Sequence, residues 1–362
     1  MTSKERVNIA VSRKTPDRVP VDYWGDKITT AGLKKTVCID DTEELYRFLG
    51  IDLRYIEGTV YTGPKLKVYE DGSSDDIWGV RRKNILFCTN NPQKGSYEHV
   101  THNPLAAAET ARDIEKYSGW PSPDHFDYSV LADQAGQYQD MCIVCGGDRL
   151  NRMAQLKPAM YLRGVEQCML DIALNPDIFS AIIIKETEFF LEYGKRLFEQ
   201  ARGKADIFFM GDDFASQNGM LMSLEDWRKY LKPGFRAYID LAHRYDLKVM
   251  HHTCGAVYEL IPDFIDCGLD ILQSLQPGAK GMDLKKIKHE YGKYICFQGG
   301  IDIQKTMPHG TPDDVKNEVR DRIRTLGEGG GYILGTAHNM LPDVPVENAL
   351  AYFEAARTYG DY

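Results

Sequence analysis

LKVMHHTCG, residues Leu247 to Gly255, is the stretch on which the reading of this chain turns. An apolar run through Val249 and Met250 stops at His251, His252, Thr253 and Cys254. A buried strand that closes on a His-x-Cys pair presents two soft ligands at a sheet edge, and in a parallel α/β barrel that edge is where chemistry is placed. His252 and Cys254 are two residues apart, so in a regular strand they point to the same side. Neutral imidazole and thiolate are good zinc ligands. By itself the pair is better explained as a structural cysteine beside a hydrogen-bonded histidine. His251 alternates with His252 and is expected to face a helix layer.

Outward from this strand the pattern repeats. ADIFFMGDD (205–213) reads as a strand, followed by a helix over 223–245 that starts near Ser223 and Asp226 and contains Pro233. LDILQSLQ (269–276), KYICFQGGID (293–302) and GGYILGTAH (330–338) read as further strands, each followed by a helical pattern. Five βα units in a row predict a parallel sheet with helices outside. Earlier strands are expected in RVPVDYW (18–24), IDLRYIEG (51–58) and MCIVCGGD (141–148), with helices over 41–50, near 107–117, and over about 159–173 and 176–202. The total approaches eight, so a TIM (β/α)8 barrel is favoured over an open doubly wound sheet. Residues 59–104 break the rhythm and read as a β-rich excursion, a lid or side sheet. One barrel spanning 1–362 with this insertion is the expected organisation.

The late strands end on polar residues: Asp212 and Asp213, His252 and Cys254, Gln273 and Gln276, Asp302, His338. Buried polar groups are unfavourable unless they are paired or bound to something, and in a barrel these ends converge on one mouth. With His338 added, His252 and Cys254 make a three-ligand open metal site. Two adjacent acids at a strand end require a cation or hydrogen-bond donors. Asp212, Asp213 and Asp302 are therefore candidate catalytic residues; Gln217, Gln276, Trp24 and Asp22 are candidates for holding substrate. Cys142 and Cys145 form a CxxC inside an apolar run and read as core thiols.

Composition excludes several classes. Hydrophobic residues are 43% and charged residues 27% of 362, and net charge is -9, without the clustered Lys and Arg that nucleic-acid binding needs. No apolar run approaches the ~20 residues of a membrane helix. The N-terminus has no hydrophobic signal-peptide region. Eight scattered cysteines fit reduced thiols, so a cytoplasmic location is expected. Neither a Gly-rich dinucleotide fingerprint nor a P-loop is present.

Five segments, RKTPDRVPVDYW (13–24), YLRGVEQCMLDIALNPD (161–177), HHTCG (251–255), FQGGID (297–302) and ILGTAHNMLPDVPVEN (333–348), resemble the uroporphyrinogen decarboxylase superfamily. That superfamily includes zinc-dependent methylcobamide:coenzyme M methyltransferases and O-demethylase methyltransferases. The resemblance implies a TIM barrel. Where the true decarboxylases carry an Arg-Gln-Ala-Gly-Arg-Tyr segment for the substrate's propionates, this chain reads DYWGDKITT, without arginine. It thus lies nearer the methyltransferase branch, whose His-x-Cys-Gly matches residues 252–255; that branch's later zinc cysteine falls at His338. The implied activity is methyl transfer between a small methylated substrate, such as an aryl methyl ether, and a corrinoid carried on a partner protein, with Zn2+ at His252, Cys254 and His338. In the alternative, tetrapyrrole decarboxylation, His338 contacts substrate. A homo-oligomer is compatible with either.

Overall fold

A computed structural model describes residues 1–88, 94–146 and 152–362. Seven strands form one sheet in chain order: β1 (Leu53–Ile56), β2 (Cys142–Cys145), β3 (Ile207–Gly211), β4 (Lys248–His252), β5 (Ile271–Leu275), β6 (Cys296–Ile301) and β7 (Tyr332–Thr336). All neighbours run parallel. Alternation along each strand divides the side chains into two layers. Leu53, Cys142, Val144, Ile207, Phe209, Met250, Ile271, Cys296 and Ile333 pack with Val7 and Val11 of the first helix, Ser3–Val11, in one cluster. Phe208, Met210, Val249, Leu272, Phe297 and Leu334 join the helices in the other. Cys142 and Cys145 are both buried in these cores, in agreement with the core-thiol reading.

The eighth position is filled by Val19–Asp26. Asp22 N–H donates to Leu334 O and Leu334 N–H to Pro20 O, on the β7 side; Asp52 N–H donates to Val21 O, on the β1 side. The sequence predicts a strand here. The structure has single parallel bridges, Val21 to Leu334 and Gly25 to Met340, because Pro20 has no N–H to contribute to a ladder. Side chains complete the joint. The fully buried Asp52 carboxylate accepts from Ser3 Oγ, the Arg6 and Arg18 guanidiniums and Val21 N–H at 2.7–3.0 Å.

Other boundaries shift for local reasons. The helix predicted over about 159–173 is two, Leu156–Arg163 and Val165–Leu174, broken at Gly164, whose φ of 92° is open chiefly to glycine. The helix after β3 begins with Ser223 capping Asp226 N–H, widens to a π turn over Trp227–Leu231, and resumes as Lys232–His243 with Pro233 in its first turn. The helix near 107–117 is only Ala111–Glu115. Gly147 and Asp148, expected at the end of β2, lie outside the described residues.

The β-rich excursion is a side sheet of three antiparallel strands, Ser74–Asp75, Arg81–Cys88 and Lys94–His102. It is anchored rather than solvent-facing throughout. Trp78 is buried against Phe189 and Phe190 of the long helix Pro176–Ala201, with ring centroids 5.0 and 5.4 Å apart. Among the described residues no single helix is long and apolar enough to cross a membrane.

Removing Asp52 takes away the buried carboxylate shared by Arg6, Arg18, Ser3 and the Val21 N–H, so Asp52→Ala is expected to destabilise by about 3–5 kcal/mol. Asp17→Ala removes the half-exposed partner of Arg6 and is expected to lose under ~1 kcal/mol. Thermal or urea unfolding of both variants checks this; equal small losses would show that Asp52 is not the fastening point.

Candidate metal centre and its cavity

β4 places His252 inside the barrel and His251 outside it. His251 stacks among Phe214, Phe235 and Phe264, with ring centroids 4.9–5.5 Å away, as expected for a helix-facing residue. Burial pushes it down to about 3. β4 ends at His252, so Cys254 lies in the following turn rather than in a strand. The turn nevertheless brings Cys254 Sγ to 3.4 Å from His252 Nε2. Gly255 makes this possible: its φ is +88°, and a Cβ there would meet Ser216 O at 2.5 Å. His338 arrives from the loop after β7. The ligand atoms of His252, Cys254 and His338 all lie within 4.8 Å of one another, and they are the group that the sequence brings together.

The donor set fits a metal. Tetrahedral zinc, ~2.0–2.3 Å from each ligand, asks for donors roughly 3.5 Å apart, a small contraction of this cluster. His252 Nδ1 is hydrogen-bonded to Gln273 Oε1. An amide oxygen can only accept, so Nδ1 carries the proton and Nε2 presents its lone pair to Cys254. Burial holds His252 well below its ordinary value and hence neutral, the form that binds metal. Ser274 sits behind the thiol, its Oγ 3.6 Å from Cys254 Sγ and bonded to Ala337 O. Its φ of 79° marks a bulge in β5 where Gln273 and Leu275 step past β6.

The two acids divide the requirement set by their burial. Asp212 meets donors: it accepts from the backbone N–H groups of Gln155, Leu156 and Lys157 at 2.6–2.8 Å and so starts the helix Leu156–Arg163. Burial pushes it up to about 6 against these bonds. Asp213 meets a cation, the Lys157 ammonium, and accepts from Cys254 N–H at 2.9 Å. Burial opposes its charge, but the Lys157 ammonium holds it well below the usual carboxylate range. Asp213 Oδ1 is 3.9 Å from His252 Nε2.

The remaining candidates are dispersed. Trp24 is beside the centre, its ring 5.3 Å from both His252 and His338. Asp22 is buried in the barrel, bound to Tyr55 and Gln298. Gln217 donates to Gln276 Oε1, which also accepts from Gly255 N–H, so this pair braces the turn that carries Cys254. Asp302 is turned to its own loop, accepting from the N–H groups of Gln304 and Lys305. Asp212, Asp22, Gln217, Gln276 and Asp302 thus engage protein groups instead of facing the metal cluster.

A cavity of about 250 Å³ opens beside the cluster, lined by Trp24, Lys27, Arg152, Lys157, His252 and His338. The three cations were not among the sequence candidates; only the demand that Asp213 find a positive partner pointed towards Lys157. A second cavity, of about 230 Å³, shares Trp24 and Arg152 with the first and is walled by Tyr23, Tyr46, Tyr55, Tyr138 and Phe209.

Residues 154–359 match the uroporphyrinogen decarboxylase (URO-D) family. The chain belongs to this family. Methylated-thiol–coenzyme M methyltransferase from Methanosarcina mazei is 29% identical over 55% of this chain and 50% of its own length. Methylcobamide:CoM methyltransferase MtaA from Methanosarcina barkeri is 25% identical over 51% and 50%. Uroporphyrinogen decarboxylase from Geobacter sulfurreducens is 27% identical over 49% and 48%. The matches thus span about half the length of these curated relatives. A solved methyltransferase from Methanosarcina mazei superposes over 99% of both chains with a TM-score of 0.68 at 22% identity, which places this chain in the same fold. The expected family and barrel are both found.

Asp212 and Asp213 separate by experiment. Asp212→Ala strands three N–H groups and is expected to lower stability by on the order of 3 kcal/mol. Asp213→Ala is expected to lose less stability but to weaken zinc uptake, since it frees the Cys254 turn. Thermal unfolding of metal-free protein and chelator competition measure the two effects. The same profile for both variants contradicts this division.

Proposed function

We propose that this URO-D family member is a methyltransferase that moves a methyl group between a small methylated substrate and the corrinoid of a partner protein, with zinc held by His252, Cys254 and His338. The observation that carries the reading is the convergence of these three donors beside an open cavity, which His252 and His338 line. The methyltransferase relatives support it. Zinc, when bound, supplies Lewis acidity at the heteroatom that carries or receives the methyl group.

The chain's own residues do the rest. Gln273 orients His252. Asp213 ties the Cys254 backbone to the Lys157 ammonium, which this fixes at the cavity wall. Lys157 and Arg152 stabilise the electron pair left on the substrate's heteroatom when its bond to the methyl carbon breaks. We assign the tyrosine-walled cavity to the organic part of the substrate, and its aromatic lining favours a methylated phenol. Tetrapyrrole decarboxylation is the weaker reading, because the segment that matches the decarboxylases' arginine-bearing one reads DYWGDKITT, without arginine.

Elemental analysis is expected to find about one zinc per chain in the wild type and almost none in Cys254→Ser or His252→Ala. Methyl transfer from a methylated phenol to a reduced corrinoid protein is then expected to fall by at least ~100-fold in both variants. Wild-type protein that is folded and takes up no zinc rules the metal centre out.

A further inference from the structure

Two buried amides in the barrel are half satisfied in a complementary way. Gln298 Nε2 donates to Asp22 Oδ2 at 2.7 Å, and Gln298 Oε1 has no partner among the described residues. Gln273 Oε1 is bonded to His252 Nδ1, and Gln273 Nε2 has no partner. Both side chains are 1% exposed. The two residues are register partners on β5 and β6. Their side chains therefore leave the same face of neighbouring strands, about 4.8 Å apart at the backbone. An orphan acceptor thus stands beside an orphan donor in a place without bulk water, where each is unfavourable alone and the pair is not.

We propose that Asp22, Gln298 and Gln273 are positioning residues forming one directional hydrogen-bond chain, closed between the two amides directly or through one buried water, that fixes His252 with its proton on Nδ1. The direction follows from the carboxylate at its far end. Asp22 also receives Tyr55 OH at 2.7 Å and Tyr23 N–H at 2.8 Å, a set of donors that suits an acceptor. Accepting from Gln298, Asp22 holds that amide nitrogen-first. The Gln298 oxygen then faces Gln273 and holds the next amide nitrogen-first too. The Gln273 oxygen is left for His252, which must donate through Nδ1 and keep its Nε2 lone pair for a metal. A metal-binding histidine usually has its second nitrogen held by a carboxylate or carbonyl directly; here the carboxylate acts through two amides. Tyr55 also lines the aromatic cavity, so the chain runs from that wall to the metal centre.

The inference deepens the zinc reading, and two measurements on the full-length protein keep them apart. Ring 15N NMR of the metal-free protein reports the His252 tautomer, and chelator competition reports zinc affinity. Wild type is expected to show one tautomer, with Nδ1 protonated. Gln298→Met is expected to mix the tautomers and weaken zinc several-fold. Gln273→Met is expected to weaken zinc about 10–100-fold, and Gln273→Glu, which keeps an acceptor, to restore most of that loss. Should Gln298→Met fail to fold, Gln298→Asn breaks the same link by shortening the arm. A folded Gln298 variant with wild-type tautomer and zinc affinity overturns the chain. A tautomer change in a protein that binds no zinc supports the chain and removes only the metal.

Discussion

The barrel depends on a joint that is made by few backbone bonds. β7 and β1 are the two edges of the seven-stranded sheet, and among the described residues the Val19–Asp26 segment is what bonds to both of them. Pro20 and the irregular register leave that segment too few ladder bonds to close the sheet alone. The buried Asp52 carboxylate supplies the missing constraint by gathering Ser3, Arg6, Arg18 and Val21 N–H onto the start of β1. An ion pair this deep contributes little net stability relative to an apolar substitute, yet its geometry is unforgiving. That makes it suited to fixing register: it sets where Asp22 and Trp24 fall, and so where the interior hydrogen bonds and the cavity wall begin.

The same logic operates at the other end of the strands. Backbone turns after β2 and β4 are held by carboxylates that accept main-chain N–H groups, Asp212 at the Gln155–Lys157 turn and Asp213 at Cys254. Gln276 and Gln217 hold the same Cys254 turn from behind. The polar residues at the strand ends are therefore either ligand candidates or clamps on a loop: Asp213 and Gln276 clamp the one that carries Cys254, and Asp212 and Asp302 clamp loops without a ligand candidate. Ser274, in an unfavourable backbone conformation at the bulge, is explained similarly: the bulge lets Gln273 point to His252 while Ser274 faces the thiol.

Much of this was legible in the sequence. The βα rhythm from Ala205 onwards gave the barrel, because each strand is continuously apolar and ends on polar groups. His252, Cys254 and His338 could be grouped because barrel strand ends converge whatever the loops do. What stayed hidden was which way each polar side chain turns. Asp212 and Asp213 are adjacent and chemically alike, yet one caps a helix and the other pairs with Lys157; only the path of the Gln155–Lys157 turn separates them. Gln273 reads as a strand-end residue like Gln276, and nothing local shows that one reaches the histidine while the other braces a loop. Lys27, Arg152 and Lys157 come from loops and helix starts, where no periodicity marks a site.

The donor set has a consequence for the chemistry it suits. A divalent ion held by one thiolate and two neutral imidazoles keeps a net charge of about +1, whereas a second thiolate in place of His338 would cancel it. Arg152 and Lys27 add positive charge around the same cavity, whose lining also holds Asp26, while Lys157 and Asp213 neutralise each other as an ion pair. The field at the open coordination position therefore favours an anionic oxygen or sulfur over a neutral one. In a transfer reaction the heteroatom is neutral while it carries the methyl group and anionic once it has lost it. On the methyl-transfer reading proposed above, a centre with this charge stabilises the demethylated heteroatom more than its methylated form.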